Sequence, residues 1–411
     1  MDYNKKLKKM QDSDKREQEE QGLEVLQDFK KDGTLYPWKE KKKRSLLLRN
    51  SYIRLSKRYT YKHLKRALTD KEKEQHNYYK HKSLRVNDCS NYLVFRKTEN
   101  GKLKLYEANF CQTRLCPLCA LRREMKARAQ LSKVLGSIEK TQPELNYIFL
   151  TLTVENIKAD KLKDTIDNMQ IAFNRLFKYK KVNNEVVGYY RALEIGYDND
   201  PIITQQKFDK AIKYYTDRNL KVGDINPNYR HFHPHFHVMI AVNPDYYVGF
   251  DVEKKKPIFK IQQSEWCDYW VRAMQINYRP IVDVRTIKSY KKGKKGGILE
   301  TAKYIVKDSD YLFEHDFDMT DEVVETLDHV LHNRRLIGWG KLFKDVHKKL
   351  NLTEDITADV VIDGEEDSEV VDSSLIRYLW NKKHLNYIRV ESDRETDHIY
   401  IRFNRKKIKR E

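Results

Sequence analysis

The chain has 411 residues, 81 of them Lys or Arg and 61 Asp or Glu, a formal charge of +20 at pH 7. At roughly 100–200 residues per domain this length calls for two or three compact units, and the excess of cations points to a polyanionic partner such as nucleic acid. With 27 Tyr and 15 Phe the chain is too aromatic for wholesale disorder; no apolar run approaches the roughly 20 residues of a membrane span, no apolar stretch follows the charged first residues, and the cytoplasm is the expected compartment.

Residues 1–36 read as a charged arm with sparse apolar positions, Leu7, Met10, Leu23, Leu26 and Phe29. From Pro37-Trp38 to about residue 82 the sequence is helix-compatible and basic, with clusters Lys41-Lys42-Lys43-Arg44 and Lys57-Arg58-Tyr59-Thr60-Tyr61-Lys62. Cations interleaved with aromatics suit a nucleic-acid backbone, although a solvated helix face has the same composition. Tyr92–Phe95 and Leu103–Tyr106 read as a hairpin around Asn100-Gly101, and Leu121 to about Glu139 as a helix.

Beyond residue 141, strands are expected at Tyr147–Val154, Glu185–Tyr197, His235–Val242 and Ile281–Ile287. Helices are expected at about 158–181, 263–276, 297–308 and 321–347, so the fold class is α+β with antiparallel neighbours. Residues 351–373 hold nine Asp or Glu and no Lys or Arg, an acidic linker. The division implied is an arm (1–36), a basic region (37–140), an α+β domain (141–350), the linker, and a small C-terminal module (374–411).

Cys111, Cys116 and Cys119, with Cys89 upstream, gather four soft donors within 31 residues, a set that Zn²⁺ takes tetrahedrally with no position left for chemistry. His76 or His81 could replace Cys89, buried thiols are the plain alternative, and Cys267 beside Trp266 reads as core. Four of the 13 histidines fall in His231-Phe232-His233-Pro234-His235-Phe236-His237. On a strand, residues two apart share a face, so His235 and His237 project together toward one divalent ion. Glu194, a carboxylate in the apolar strand Arg191–Tyr197, is the candidate third ligand, with His233 as fallback. In the helical stretch Ile298–Lys307, Glu300 and Tyr304 stand one turn apart with Lys307 on the same side: a carboxylate, a nucleophile and a cation in one stripe.

The strand Phe149-Leu150-Thr151-Leu152-Thr153, then His233–Val238, then Glu300-x3-Tyr304-x2-Lys307 occur in the order of the three motifs of plasmid rolling-circle replication initiators. The chain resembles the HUH endonuclease superfamily, and within it the Gram-positive plasmid initiators with one catalytic tyrosine preceded by a glutamate one turn earlier. Cys89…Cys111-x2-Arg114-Leu115-Cys116-Pro117-x-Cys119 and Pro37-Trp38 share the likeness, which covers about residues 35–310. It implies a five-stranded antiparallel sheet with flanking helices. It implies further that His235, His237 and Glu194 hold Mg²⁺ or Mn²⁺, Tyr304 attacks a phosphodiester to give a 5′-phosphotyrosine, Glu300 is the later general base, and Lys307 neutralises a phosphate oxygen. The partners implied are plasmid double-strand origin DNA, single-stranded DNA, and a host helicase and polymerase. A transposase of the same superfamily and a non-catalytic zinc-containing DNA-binding regulator are the competing readings.

Overall fold

The computed structural model describes residues 23–30, 33–97, 103–253, 256–287, 307–353 and 375–390. In chain order, the first elements are helices α1 (Trp38–Arg58), α2 (Tyr61–Leu64) and α3 (Asp70–Asp88), strands β1 (Tyr92–Lys97) and β2 (Leu103–Ala108), and helix α4 (Pro117–Thr141). Then come β3 (Asn146–Thr153), α5 (Ala159–Leu176), α6 (Lys180–Glu185), β4 (Val186–Tyr197), α7 (Gln205–Lys210), α8 (Ile212–Thr216) and β5 (Phe232–Val242). The rest are β6 (Tyr247–Asp251), β7 (Lys256–Phe259), α9 (Gln263–Met274), β8 (Val282–Thr286), α10 (Phe317–Val330), β9 (Ile337–Lys341), α11 (Leu342–Lys349), β10 (Leu375–Asn381) and β11 (Asn386–Val390). They form two compact units: described residues up to Cys119 together with 375–390, and residues 120–353.

In the first unit, α1 runs 21 residues without Gly or Pro, and its buried stripe of Trp38, Ser45, Leu48, Tyr52 and Leu55 packs along α3. A capping box at Thr69 and Glu72 starts α3. The sheet of this unit has the order β11-β10-β1-β2, all antiparallel. Strands from residues 375–390 thus complete a sheet begun at residue 92, with Phe95 packed edge-on against both Trp38 and Tyr378.

The second unit is built on a five-stranded antiparallel sheet of order β8-β3-β5-β4-β9. Alternation divides each strand between two faces. Leu150, Leu152, Phe236, Val238, Leu193 and Ile195 bury one face under α5 and α9, which supply Phe173, Trp266 and Trp270. On the other face, Tyr147, Phe149, Tyr190, Ala192, Met239 and Ala241 pack against Leu131, Val134, Leu135 and Ile138 of α4. That apolar cover spans only part of the face, and the remainder carries Glu194, His235 and His237.

The α+β class and the antiparallel sheets are as expected. The sequence reading finds four strands in this unit and a continuous helix over 321–347. Instead α10 ends at Val330 and Ile337-Gly338-Trp339-Gly340-Lys341 forms the edge strand β9. Two glycines in five residues weaken a helix, and here they serve the sheet instead. Gly340 lies directly opposite Tyr189, whose ring occupies the volume a side chain at 340 would need. Gly340→Val is therefore expected to push β9 off β4 and destabilise this unit by about 1–3 kcal/mol, read from a lower urea midpoint; an unchanged midpoint would show that the ring yields freely.

Candidate metal centres

Pro234 enters β5 opposite Ile195, and from there the register sets Glu194 against His235 and Ala192 against His237. On the other side His237 faces Thr151 of β3. Glu194, His235 and His237 therefore share one face of the two longest strands, where extensive pairing holds their backbones. His237 Nε2 is 3.0 Å and His235 Nε2 3.6 Å from Glu194 Oε2, and the two Nε2 atoms are 3.2 Å apart.

The other ring nitrogens have partners of their own. His235 Nδ1 lies 3.1 Å from the His233 carbonyl oxygen, so it donates and leaves Nε2 with a lone pair. His237 Nδ1 is 3.3 Å from Thr151 Oγ1, which can accept in the same way. Burial alone would raise the Glu194 carboxyl, but the His235 and His237 rings outweigh it and hold Glu194 well below the usual carboxylate range. Two imidazoles and a carboxylate thus converge, a donor set that suits a divalent cation. Donors about 2.1 Å from a six-coordinate ion stand roughly 3.0 Å apart at adjacent vertices. The observed 3.0–3.6 Å separations fit one triangular face of such a shell, leaving the opposite face open to oxygens.

Lys307 Nζ lies 3.7 Å from Glu194 Oε1, so this cation joins the group. His233 stacks on His235 at 5.1 Å between ring centroids but is not among the three converging donors, and burial pushes its imidazole down to about 4. His231 is tied to the Tyr229 carbonyl instead. Glu300 and Tyr304 lie outside the described residues, as does the helix expected at 297–308 up to residue 306. Thr151 escaped the reading as a partner of His237; its place on the same face, two residues from Phe149 and Thr153, was the available signal.

The four cysteines of the first unit meet where α3 ends, β2 has just ended and α4 begins. Their Sγ atoms are separated by 3.6 Å for Cys89 and Cys119, 3.6 Å for Cys111 and Cys119, and 3.5 Å for Cys89 and Cys116. These distances are far beyond the roughly 2.05 Å of a disulfide. Four thiolates about 2.3 Å from a tetrahedral ion stand roughly 3.8 Å apart, close to what is seen. Burial pushes the Cys116 and Cys119 thiols up, so thiolates there require a cation to compensate. A metal such as zinc fits this set. Neither His76, bonded to the Ser56 carbonyl, nor His81 replaces Cys89, and Cys267 lies buried in α9 as expected.

Lys42 was read as one of a basic cluster, yet it is fully buried beneath these cysteines. Its Nζ donates to Cys89 O at 2.5 Å, Asn91 Oδ1 at 2.8 Å and Asn87 O at 3.1 Å. Arg85 donates in turn to the Cys111 carbonyl. Two cations thus grip the backbone of two of the four sulfur-bearing residues. Lys42 stands four residues after Trp38 and three before Ser45, on the buried stripe of α1, and that spacing was the missed signal.

A family described as Replication protein matches residues 102–388. Protein rep of Bacillus amyloliquefaciens is 34% identical over 388 residues, covering 90% of this chain and 98% of that protein. Protein rep of Streptococcus pneumoniae serotype 2 is 32% identical over 303 residues, 74% of this chain and 82% of that one. A Replication protein of Staphylococcus aureus is 30% identical over 267 residues, 64% and 98% respectively. No solved structure matches the chain.

Proposed function

Because the chain belongs to the Replication protein family, we propose that it is a plasmid replication initiator of the HUH type, which nicks and rejoins origin DNA through a 5′-phosphotyrosine in a metal-dependent reaction. The convergence of Glu194, His235 and His237 on one face of the sheet carries this reading. These three residues would hold Mg²⁺ or Mn²⁺, which when bound supplies Lewis-acid polarisation of a phosphodiester. The five-stranded antiparallel sheet, with the histidine strand at its centre, is the architecture that the HUH likeness implies.

Tyr304 is the nucleophile. Its oxygen forms a bond to phosphorus while the bond to the 3′ oxygen breaks, and that oxygen leaves with a proton as the 3′-hydroxyl that a host polymerase extends. Glu300, one helical turn before it, takes a proton from water at termination, so one tyrosine serves a full round. Lys307 neutralises a phosphate oxygen; its approach to Glu194 supports the reading, since it follows Tyr304 by three residues. The basic helical region binds double-strand origin DNA, and a host helicase opens the strands ahead of the polymerase. No helix among the described residues is long and apolar enough to cross a membrane.

The reading is tested by mixing the full chain with Mn²⁺ and a labelled single-stranded oligonucleotide from its own plasmid's origin. The expected product is a covalent protein–DNA adduct that mass spectrometry locates on Tyr304; origin oligonucleotides that all remain uncut and unattached would refute it. For the cysteines, we assign Zn²⁺ as the bound ion, in a closed structural site. Metal analysis is expected to give about one zinc per chain, released together with four reactive thiols on chelation. A metal-free preparation with the same thermal stability would leave the cysteines as core thiols.

A further inference from the structure

Between α1 and α3 the ten residues Lys57-Arg58-Tyr59-Thr60-Tyr61-Lys62-His63-Leu64-Lys65-Arg66 hold five Lys or Arg, one His and no acid. Tyr61, at the start of α2, is 68% exposed. An exposed aromatic ring flanked by lysines needs a reason, because such a ring in a monomer usually folds down on its neighbours. Here the chain around it is held firmly. Tyr59 stacks on Tyr79 at 6.2 Å and Tyr79 on Tyr52 at 6.1 Å, a column that ties the tip to both helices.

Thr60 Oγ1 donates to Lys57 O, while the amides of His63, Leu64 and Lys65 close one tight turn on Thr60 and Tyr61. Arg66 is neutralised by Glu72, at 2.7 and 2.9 Å. Lys57, Lys62 and Lys65 are exposed, and none of their ammonium groups has a partner among the described residues. The result is a preformed tip that carries three exposed lysines and one exposed aromatic ring within nine residues. That is the chemistry that grips a phosphodiester backbone and stacks on a nucleobase. Preforming it spares the ordering penalty that a floppy basic loop would incur on binding.

We propose that this tip is a DNA-contacting wedge, with Lys57, Lys62 and Lys65 against phosphates and Tyr61 against the face of an unpaired base. It deepens the initiator reading and rests on it for the source of such DNA, an origin where duplex meets unpaired strand. The lysines are indifferent to base pairing, whereas Tyr61 requires a base that has left its stack. The tip therefore favours a duplex bordering unpaired bases over a continuous duplex.

The test is fluorescence anisotropy with the full chain and no added divalent metal, on two labelled probes of equal length, a DNA hairpin with an unpaired loop and a fully paired duplex. Replacing Lys57, Lys62 and Lys65 together with Ala is expected to weaken both probes and to lower the slope of log K against log salt by about 2–3. Tyr61→Ala is expected to weaken the hairpin about tenfold and the duplex by less than about twofold, with Tyr61→Phe restoring the hairpin, since stacking needs the ring and not the hydroxyl. An unchanged salt slope in the triple variant, or equal losses on both probes with Tyr61→Ala, would overturn the proposal. Binding is read without cleavage, so failure to form a Tyr304 adduct counts against the nicking chemistry and leaves this result standing.

Discussion

Tyr304→Phe is expected to lower nicking of supercoiled origin DNA by at least about a thousandfold while origin binding persists, because the substitution removes a single oxygen and keeps the ring. A phenol with a free pKa of about 10 is a poor nucleophile at neutral pH, and it works only where nearby positive charge favours its deprotonated form. In the proposed reaction Lys307 and an ion held by Glu194, His235 and His237 would provide that charge. Phenylalanine has no proton to lose and no oxygen to attack with, so no environment rescues it. Persistent nicking would move the nucleophile elsewhere in the sequence. Tyr311, the nearest tyrosine downstream, is only 1% exposed and is poorly placed to take over; Tyr290 lies outside the described residues.

Replacing His235 and His237 with Ala is expected to abolish cleavage in Mg²⁺ or Mn²⁺ and to weaken Mn²⁺ binding, followed by electron paramagnetic resonance, by at least about a hundredfold. Only Glu194 would remain of three donors, and a single carboxylate does not retain such an ion against water. His233→Ala separates the convergent group from mere histidine density. Its ring stacks on His235 without joining the three donors, so it is expected to cost less than about tenfold. Full Mn²⁺-dependent cleavage by the double variant would dissolve the site, and a loss with His233→Ala as large as with the pair would bring that residue into the shell.

The histidine pair was legible because a period of two is a local property: once 235–242 is a strand, His235 and His237 must share a face. The approach of Glu194 was only a suggestion, since register between two strands is set by everything that packs on them and not by either sequence alone. The same limit hid β9, whose five residues were read as part of a helix and which pairs with β4 where Tyr189 lies across Gly340. It also hid the pairing of β10 with β1, where the partners are far apart in the chain. The four cysteines were found by spacing, yet Lys42 beneath them looked like any other member of a basic run. A solvated lysine and a buried one differ only in what surrounds them, which composition does not record.

The sheet β11-β10-β1-β2 joins strands made nearly three hundred residues apart. While the ribosome is still at work, β1 has an open edge and no β10 to close it, and residues 120–353 emerge whole before the late strands exist. The unit holding the cysteines therefore reaches its final form only once residues 375–390 have been made. A product ending before residue 375 would expose an unpaired, aromatic-rich border on β1, a template for clumping with its own kind.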